Sequence, residues 1–90
     1  MKKAIVTVVG KDTVGIISSV SGVLSENNVN ILDISQPILD GMFTMMMIVD
    51  GENIKVGFAQ LSDVMSQLGA KIGVDIRIQL EEIFEAMHRI

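Results

Sequence analysis

Two hydrophobic periodicities alternate along the first third of the chain. Residues 3–9 are apolar at nearly every position, which predicts a central strand that is covered on both faces. Residues 14–26 then place apolar side chains at the spacing of one helical face, which predicts an amphipathic helix. Asp12 or Thr13 is predicted to cap its first turn, and the pair Asn27-Asn28 to end it, because Asn tolerates the left-handed conformation.

The middle of the chain has the pattern of a hairpin. Residues 30–40 are predicted to form a second strand, and Pro37 places it at a sheet edge or at a bulge, because proline has no N–H to donate to a neighbouring strand. Its alternating positions are expected to share one face: Leu32, Ile34, Gln36 and Ile38. The dipeptide Asp40-Gly41 is typical of a tight turn, and residues 42–50, which are apolar on both faces, are predicted to be a third strand.

The last third of the chain predicts a helix, a strand and a helical tail. Apolar residues repeat at helical spacing over 54–68, and Gly69 follows where a C-terminal cap is expected. Strict alternation over residues 72–80 predicts a fourth strand. The tail, residues 81–90, is predicted to be a short third helix. Its apolar positions form one helical stripe: Ile83, Phe84, Met87 and Ile90.

The order of these elements predicts an α+β fold. Right-handed crossovers leave a gap beside strand one that strand three can fill, which gives an antiparallel βαββαβ sheet in the order 4-1-3-2 with both helices on one face. This is the ferredoxin-like architecture, followed by a short C-terminal helix. With no internal linker or low-complexity run, the chain is expected to form a single domain over residues 1–90.

The sheet face away from the helices is expected to be apolar and to need a cover. Strand one presents Ile5, Thr7 and Val9 there. Strand three adds one of two rows: Thr44, Met46 and Ile48, or Met45 and Met47. A patch of this size is seldom left in water. The cover is the chain's own tail, the matching face of a second copy, or tails exchanged across a two-fold dimer. We expect a homodimer.

Composition narrows the class of protein. The net charge of −4 and the scattered Lys and Arg residues argue against a nucleic-acid surface. No Cys is present, which excludes disulfides and thiol chemistry and fits a reducing compartment. No apolar run approaches the length of a membrane span, and the N-terminus lacks a signal-peptide pattern. We therefore expect a soluble cytoplasmic protein that contacts neither nucleic acid nor membrane.

The residues do not support catalysis. The glycine spacing from Gly10 to Gly15 matches a phosphate-binding loop, but Ile16-Ile17 occupies the positions of its essential Lys and Ser/Thr. The sole histidine, His88, lies in the tail with no nucleophile pattern near it in the sequence. The aspartates are on separate elements without paired-ligand spacing, so no metal is indicated. We expect no cofactor and no enzymatic activity.

What the residues can support is the binding of a small zwitterion at the turn between strand one and helix one. Asp12 is a possible acceptor for an ammonium group, and Asn30 offers both a donor and an acceptor. A ligand carboxylate could accept hydrogen bonds from the N–H groups at the helix start, those of Val14, Gly15 and Ile16. The alternatives are structural: helix capping for Asp12, a turn role for Asn30, and a solvated surface cation for Lys11.

The run Gly10-Lys11-Asp12-Thr13-Val14-Gly15-Ile16, the pair Asn30-Ile31 and the hairpin over residues 34–49 resemble those of an ACT domain. The segments Phe43-Thr44-Met45-Met46 and Phe84-Glu85-Ala86-Met87 are similar to free-standing bacterial and archaeal ACT proteins and to repeats of the glycine cleavage system repressor. The commoner form of the turn is D-R-P-G, where this chain has Thr13 and Val14.

The resemblance implies a regulatory module whose effector, commonly an amino acid, sits at a subunit or domain interface. It places the effector between the turn after strand one and the start of strand two, which we expect to lie close to each other. The implied ligand-binding residues are Lys11, Asp12, Thr13, Val14, Gly15, Ile16, Asn30 and Ile31. Two roles stay open: a stand-alone sensor that signals to an unknown partner protein, or a structural dimerisation and interaction module without a small ligand.

Overall fold

The computed structural model describes residues 3–11, 15–37 and 42–82. Its elements follow the predicted order: β1 (Lys3–Lys11), α1 (Ile16–Glu26), β2 (Asn30–Ser35), β3 (Met42–Asp50), α2 (Phe58–Ile72) and β4 (Val74–Leu80). Glu81 and Glu82 continue directly from β4 with helical backbone. The predicted turn at Asp40-Gly41 and the tail over residues 83–90 lie outside the described residues.

The four strands form one antiparallel sheet in the order β2-β3-β1-β4, which confirms the predicted ferredoxin-like topology. β1 lies between β3 and β4. Lys3 pairs with Asp50 and Lys11 pairs with Met42, so the C-terminal end of β1 lies beside the beginning of β3. This register fixes the two ends of the sheet: Lys11 and Met42 mark one end, and Lys3 and Asp50 mark the other.

The core lies between one face of the sheet and the two helices, as predicted. Buried residues of α1 and α2, such as Val20 and Met65, belong to the same cluster as Val6 of β1. The sheet contributes one residue in two from β1, β3 and β4: Ala4, Val6, Val8, Met45, Met47, Val49, Val74, Ile76 and Ile78. Directly paired residues such as Val6, Met47 and Ile78 share this face, which identifies the residues between them as the opposite face.

The second helix differs from its prediction by four residues at each end. α2 begins at Phe58 and ends at Ile72, so Ile72 belongs to the helix and not to β4. Gly69 is buried inside the helix, where a Cβ would lie 2.6 Å from the Val74 carbonyl oxygen. The helix ends instead at Gly73, which has φ 79°. The sequence alone does not distinguish a glycine needed for close packing from a glycine that ends a helix. The prediction that Gly69 caps this helix is wrong.

The second strand is shorter than predicted and does not alternate regularly. β2 ends at Ser35, before Pro37, and occupies the edge of the sheet, which confirms the edge position predicted from the proline. A shift in pairing register between Ile31 and Asp33 interrupts the regular pairing at Leu32, which the pattern did not predict. Of the predicted common face, Ile34 pairs with Met47 on the core side, and Ile38 lies outside the described residues.

The first helix ends as predicted and begins later. Asn27 is its C-terminal cap and Asn28 has φ 63°, the left-handed conformation that Asn tolerates. α1 starts at Ile16, two residues later than predicted, and its N-cap residue is Gly15. The predicted cap residues Asp12 and Thr13 lie outside the described residues.

Candidate functional site

A glycine, Gly10, allows the end of β1 to lie close to the beginning of β4. A Cβ on Gly10 would lie 2.7 Å from Val74 Cγ1, closer than side chains approach one another. The two strands therefore need glycine at this position.

Gly15 opens α1 with a conformation that few other residues adopt. Its φ is 89° and its ψ is 5°, in the left-handed region. A Cβ added here would meet no atom within 4 Å, so the position opens onto free space and not onto a packed neighbour. The next residue, Ile16, is 2 % exposed and anchors the start of the helix in the core.

The first turn of α1 has the electrostatics of an anion site. The first backbone N–H groups of a helix have no intrahelical carbonyl to bind, and they carry the positive end of the helix dipole. Among the bonds between described residues, the Ser19 N–H donates to the Gly15 carbonyl over 2.9 Å. Among the described residues, no side chain caps this turn and no acidic residue lies in it.

Asn30 and Ile31 lie at the other end of the sheet from the turn. Asn30 is exposed, begins β2 and pairs with Asp50, whereas Lys11 is exposed and pairs with Met42. Ile31 is half-buried and pairs with Val49.

α1, with 11 residues, separates Gly15 from Asn30 by about 16 Å of helix. The expected closeness of the turn and Asn30 is therefore wrong within one copy of the chain, because α1 returns the backbone to the starting end of β1. Asp12, Thr13 and Val14 lie outside the described residues.

A network of amide hydrogen bonds braces the Asn30 end, and the sequence reasoning did not identify it. Asn28 Nδ2 donates to the Asn53 carbonyl over 2.9 Å, and the Lys55 N–H donates to the Asn27 carbonyl over 3.1 Å. The sequence signal was the pair Asn27-Asn28, which was interpreted only as a helix end. These bonds tie the loop after β3 to the loop before β2, next to the start of β2.

The exposed large apolar side chains also form a pattern that the sequence did not indicate. In the described part of the chain they are Ile17, Leu32, Ile34 and Met42. They come from the first turn of α1, from the edge strand β2 and from the start of β3. Leu32 and Ile34 lie on the edge strand β2, and Met42 begins the strand beside it.

Two features are absent from the part of the chain that the structure describes. These residues hold no group of three or more His, Cys, Asp or Glu side chains arranged to bind a metal ion. No helix among them has both the length and the apolar character needed to cross a membrane.

Comparison with known proteins gives consistent matches. The ACT domain family profile matches residues 2–79. The UPF0237 protein of Bifidobacterium longum is 59% identical over 90 residues, which is 100% of each chain. The solved structure of an ACT domain protein from Streptococcus pneumoniae is 46% identical, covers 93% of this chain and 94% of its own, and superposes with a TM-score of 0.82.

The resemblance to the glycine cleavage system repressor extends to the fold. A solved structure described as a putative glycine cleavage system transcriptional repressor has a TM-score of 0.74 at 20% identity, covering 87% of this chain and 44% of its own. UPF0237 relatives occur in both bacteria and archaea. ACT domains are small-ligand-binding regulatory modules. The sequence match over most of the chain and the βαββαβ sheet show that this protein belongs to the ACT domain family.

Proposed function

We propose that the chain is a homodimeric regulatory module that binds an amino acid, or a similar small ligand, between two copies. The turn at Gly15 of one copy and the start of β2 of the other, at Asn30 and Ile31, form the two halves of each site. The observation that carries this proposal is the position of Gly15 and Asn30 at opposite ends of α1. One copy cannot bring them together, so we assign the two halves of the site to two copies.

The exposed edge supplies the dimer contact. A two-fold axis beside β2 would set the α1 and β2 edges of two copies against each other in opposite directions. The beginning of one β2 would then lie toward the end of the sheet where the partner's α1 starts. Exposed Ile17 and Ile34 would lose water in this arrangement. The Ile34 N–H already donates to Asp33 Oδ1 over 2.9 Å, so the contact rests on side chains and not on a continuous strand ladder.

The two halves are chemically suited to the two ends of an amino acid. A carboxylate would be stabilised at the N-terminus of α1 by N–H groups and the helix dipole, which together contribute about 1–3 kcal/mol. The Asn30 side chain would add a donor and an acceptor from the other copy, and Asp12 is the proposed acceptor for the ammonium group. Lys11, Thr13, Val14 and Ile16 would complete the turn.

Signalling would follow from this composite geometry. A ligand held by both copies binds the dimer and not the separated chains, so it raises the stability of the dimer by mass action. A partner protein that recognises the dimer would then respond to the ligand concentration. The chain would act by binding and would carry out no reaction of its own.

A second function also uses the exposed edge. In this alternative the chain is a structural dimerisation or interaction module, and the turn at Gly15 binds no small molecule. The two functions differ in their response to amino acids and share the dimer.

A ligand screen distinguishes them. Thermal unfolding of the purified protein is measured with each common amino acid, and hits are quantified by calorimetry. We expect at least one amino acid to raise the unfolding temperature. Gly15→Asp should abolish the shift, because it adds bulk and negative charge where a carboxylate would bind.

Gly22→Asp is the matched control for this screen. Gly22 is an exposed glycine of the same helix, and a Cβ there also meets no atom within 4 Å. The control should retain the response. Absence of any hit, with a stable dimer, would favour the structural module.

A further inference from the structure

The sheet face opposite the helices carries a narrow apolar strip with polar borders. On this face β1 and β3 contribute paired rows of residues: Ile5 with Ile48, Thr7 with Met46, and Val9 with Thr44. The outer strands are polar there. β4 contributes Asp75, Arg77 and Gln79, and β2 contributes Asn30, Asp33 and Ser35. The strip is therefore two strands wide, an apolar centre with a polar rim on both sides.

The centre of this strip is much less exposed than a bare sheet face. Ile5 is 7% exposed, although it lies on the side away from the helices. Thr44 Oγ1 is buried and has no hydrogen-bond partner among the described residues. The rim is in water by contrast, since Arg77 and Asp75, joined by a contact of 3.2 Å, have side chains that are 78% and 60% exposed.

We propose that the strip is the docking surface of this chain's own C-terminal segment, residues 83–90, which packs on it within the same copy. The chain leads there directly. β4 ends at Leu80, opposite Ala4 of β1, and the backbone becomes helical at Glu81 without an intervening loop.

The dimensions of the segment match those of the strip. A helix over residues 81–90 would be about 15 Å long. The strip runs along β1 from Ile5 to Val9, which is about 13 Å of strand. A helix is about 10 Å in diameter, which is roughly the width of two strands with their side chains.

The segment also has the polarity that the strip requires. At 100° per residue, the apolar side chains fall within one third of the helix circumference: Ile83, Phe84, Met87 and Ile90. The charged or titratable side chains fall on the opposite side: Glu81, Glu82, Glu85, His88 and Arg89. The apolar side would cover the strip and the charged side would face water.

A second copy fits the strip less well than this segment. Two sheets that stack face to face interdigitate side chains across all their strands. Here that stacking would remove Asp33, Asp75 and Arg77 from water, at a cost in desolvation that a narrow helix avoids. The dimer contact at the β2 edge and the cover of the far face are thus separate surfaces, and this inference does not depend on the ligand site.

Cysteine cross-linking in the full chain tests the proposal, because the protein has no cysteine of its own. In one variant Met46→Cys is combined with Met87→Cys, which is central in the apolar stripe. In the matched control Met46→Cys is combined with Glu85→Cys, which is on the opposite side of the same helix. Both are oxidised at low protein concentration and analysed by non-reducing electrophoresis and peptide mass spectrometry, after circular dichroism has verified the fold.

The expected result is a disulfide within one chain for the Met87 variant, formed at least about tenfold faster than in the Glu85 variant. Disulfides between two chains would overturn the proposal in favour of exchanged tails. Equal rates in both variants, or no disulfide in either, would also overturn it. If the double variants fail to fold, Phe84→Asp gives a second measurement: it should increase the binding of a hydrophobic dye, and an unchanged dye signal contradicts the proposal.

Discussion

At the scale of single residues, glycines at different positions have different physical roles. Gly15 has φ 89°, a conformation that strains any residue with a Cβ, although there is room for the side chain. Gly22 lies inside α1 with ordinary helical backbone, and it has room as well. The two positions differ in backbone conformation and not in packing. Comparing substitutions at the two positions therefore isolates the contribution of backbone conformation to stability.

We predict opposite effects of alanine at these two positions. Gly15→Ala should lower the free energy of unfolding by about 1 kcal/mol, because a left-handed conformation costs an L-residue about 1–2 kcal/mol. Gly22→Ala should raise it by about 0.5–1 kcal/mol, because alanine loses less entropy in a helix interior. Urea denaturation of the two variants measures both values, and effects of the same sign would contradict the assigned conformations.

At the scale of elements, the contact between α2 and β4 depends on Gly69. The space for a Cβ is occupied by the Val74 carbonyl at 2.6 Å and by Ile76 Cγ1 at 3.2 Å. Backbone atoms of a central sheet cannot move aside as a flexible side chain can. α2 and β4 would have to separate to admit a methyl group.

We therefore predict that Gly69→Ala destabilises the fold, although alanine favours helices. Denaturant unfolding should show a loss of about 1–3 kcal/mol, the usual cost of overpacking. Ser66→Ala, at an exposed position of the same helix, is the control and should be neutral or slightly stabilising. A stabilising Gly69→Ala would show that the helix does not approach β4 as closely as described.

Much of the fold was predictable because the hydrophobic periodicity of the sequence indicates which residues are buried. Residues 42–50, apolar on both faces, identified β3 to the residue, and the regular spacing over α1 gave its face and its end. The errors arose where contacts between backbone segments determine the local structure. The register shift in β2 and the role of Gly69 have no signature in hydrophobic pattern, because they depend on which neighbour a strand or helix meets.

The candidate site was predictable in part. The turn after β1 and its opening glycine follow from local chemistry, and the structure shows Gly15 in the conformation that glycine favours. The distance between that turn and Asn30 was not predictable in this way, because two segments joined by a helix lie at its opposite ends. The helix that connects them also separates them by its length.

At the scale of the whole molecule, the surface has two proposed contact regions. We propose that a second copy contacts the β2 edge, with exposed Leu32 and Ile34, together with exposed Ile17 of α1. The far face is assigned to the chain's own C-terminal segment. The proposed ligand site is shared between two copies, so mixing two chains that are each defective in one half of the site can test it.

The most direct test of this account is complementation between Gly15→Asp and Asn30→Ala. Each variant alone forms only defective sites, and neither should bind the amino acid that gives the largest response with the unaltered chain. After the two are mixed under conditions that exchange subunits, a heterodimer contains one site in which both halves are intact. Calorimetry should then recover about one quarter of the unaltered binding capacity. If the two halves of the site belonged to the same copy, every site in the mixture would remain defective, and the absence of recovered binding would contradict the account.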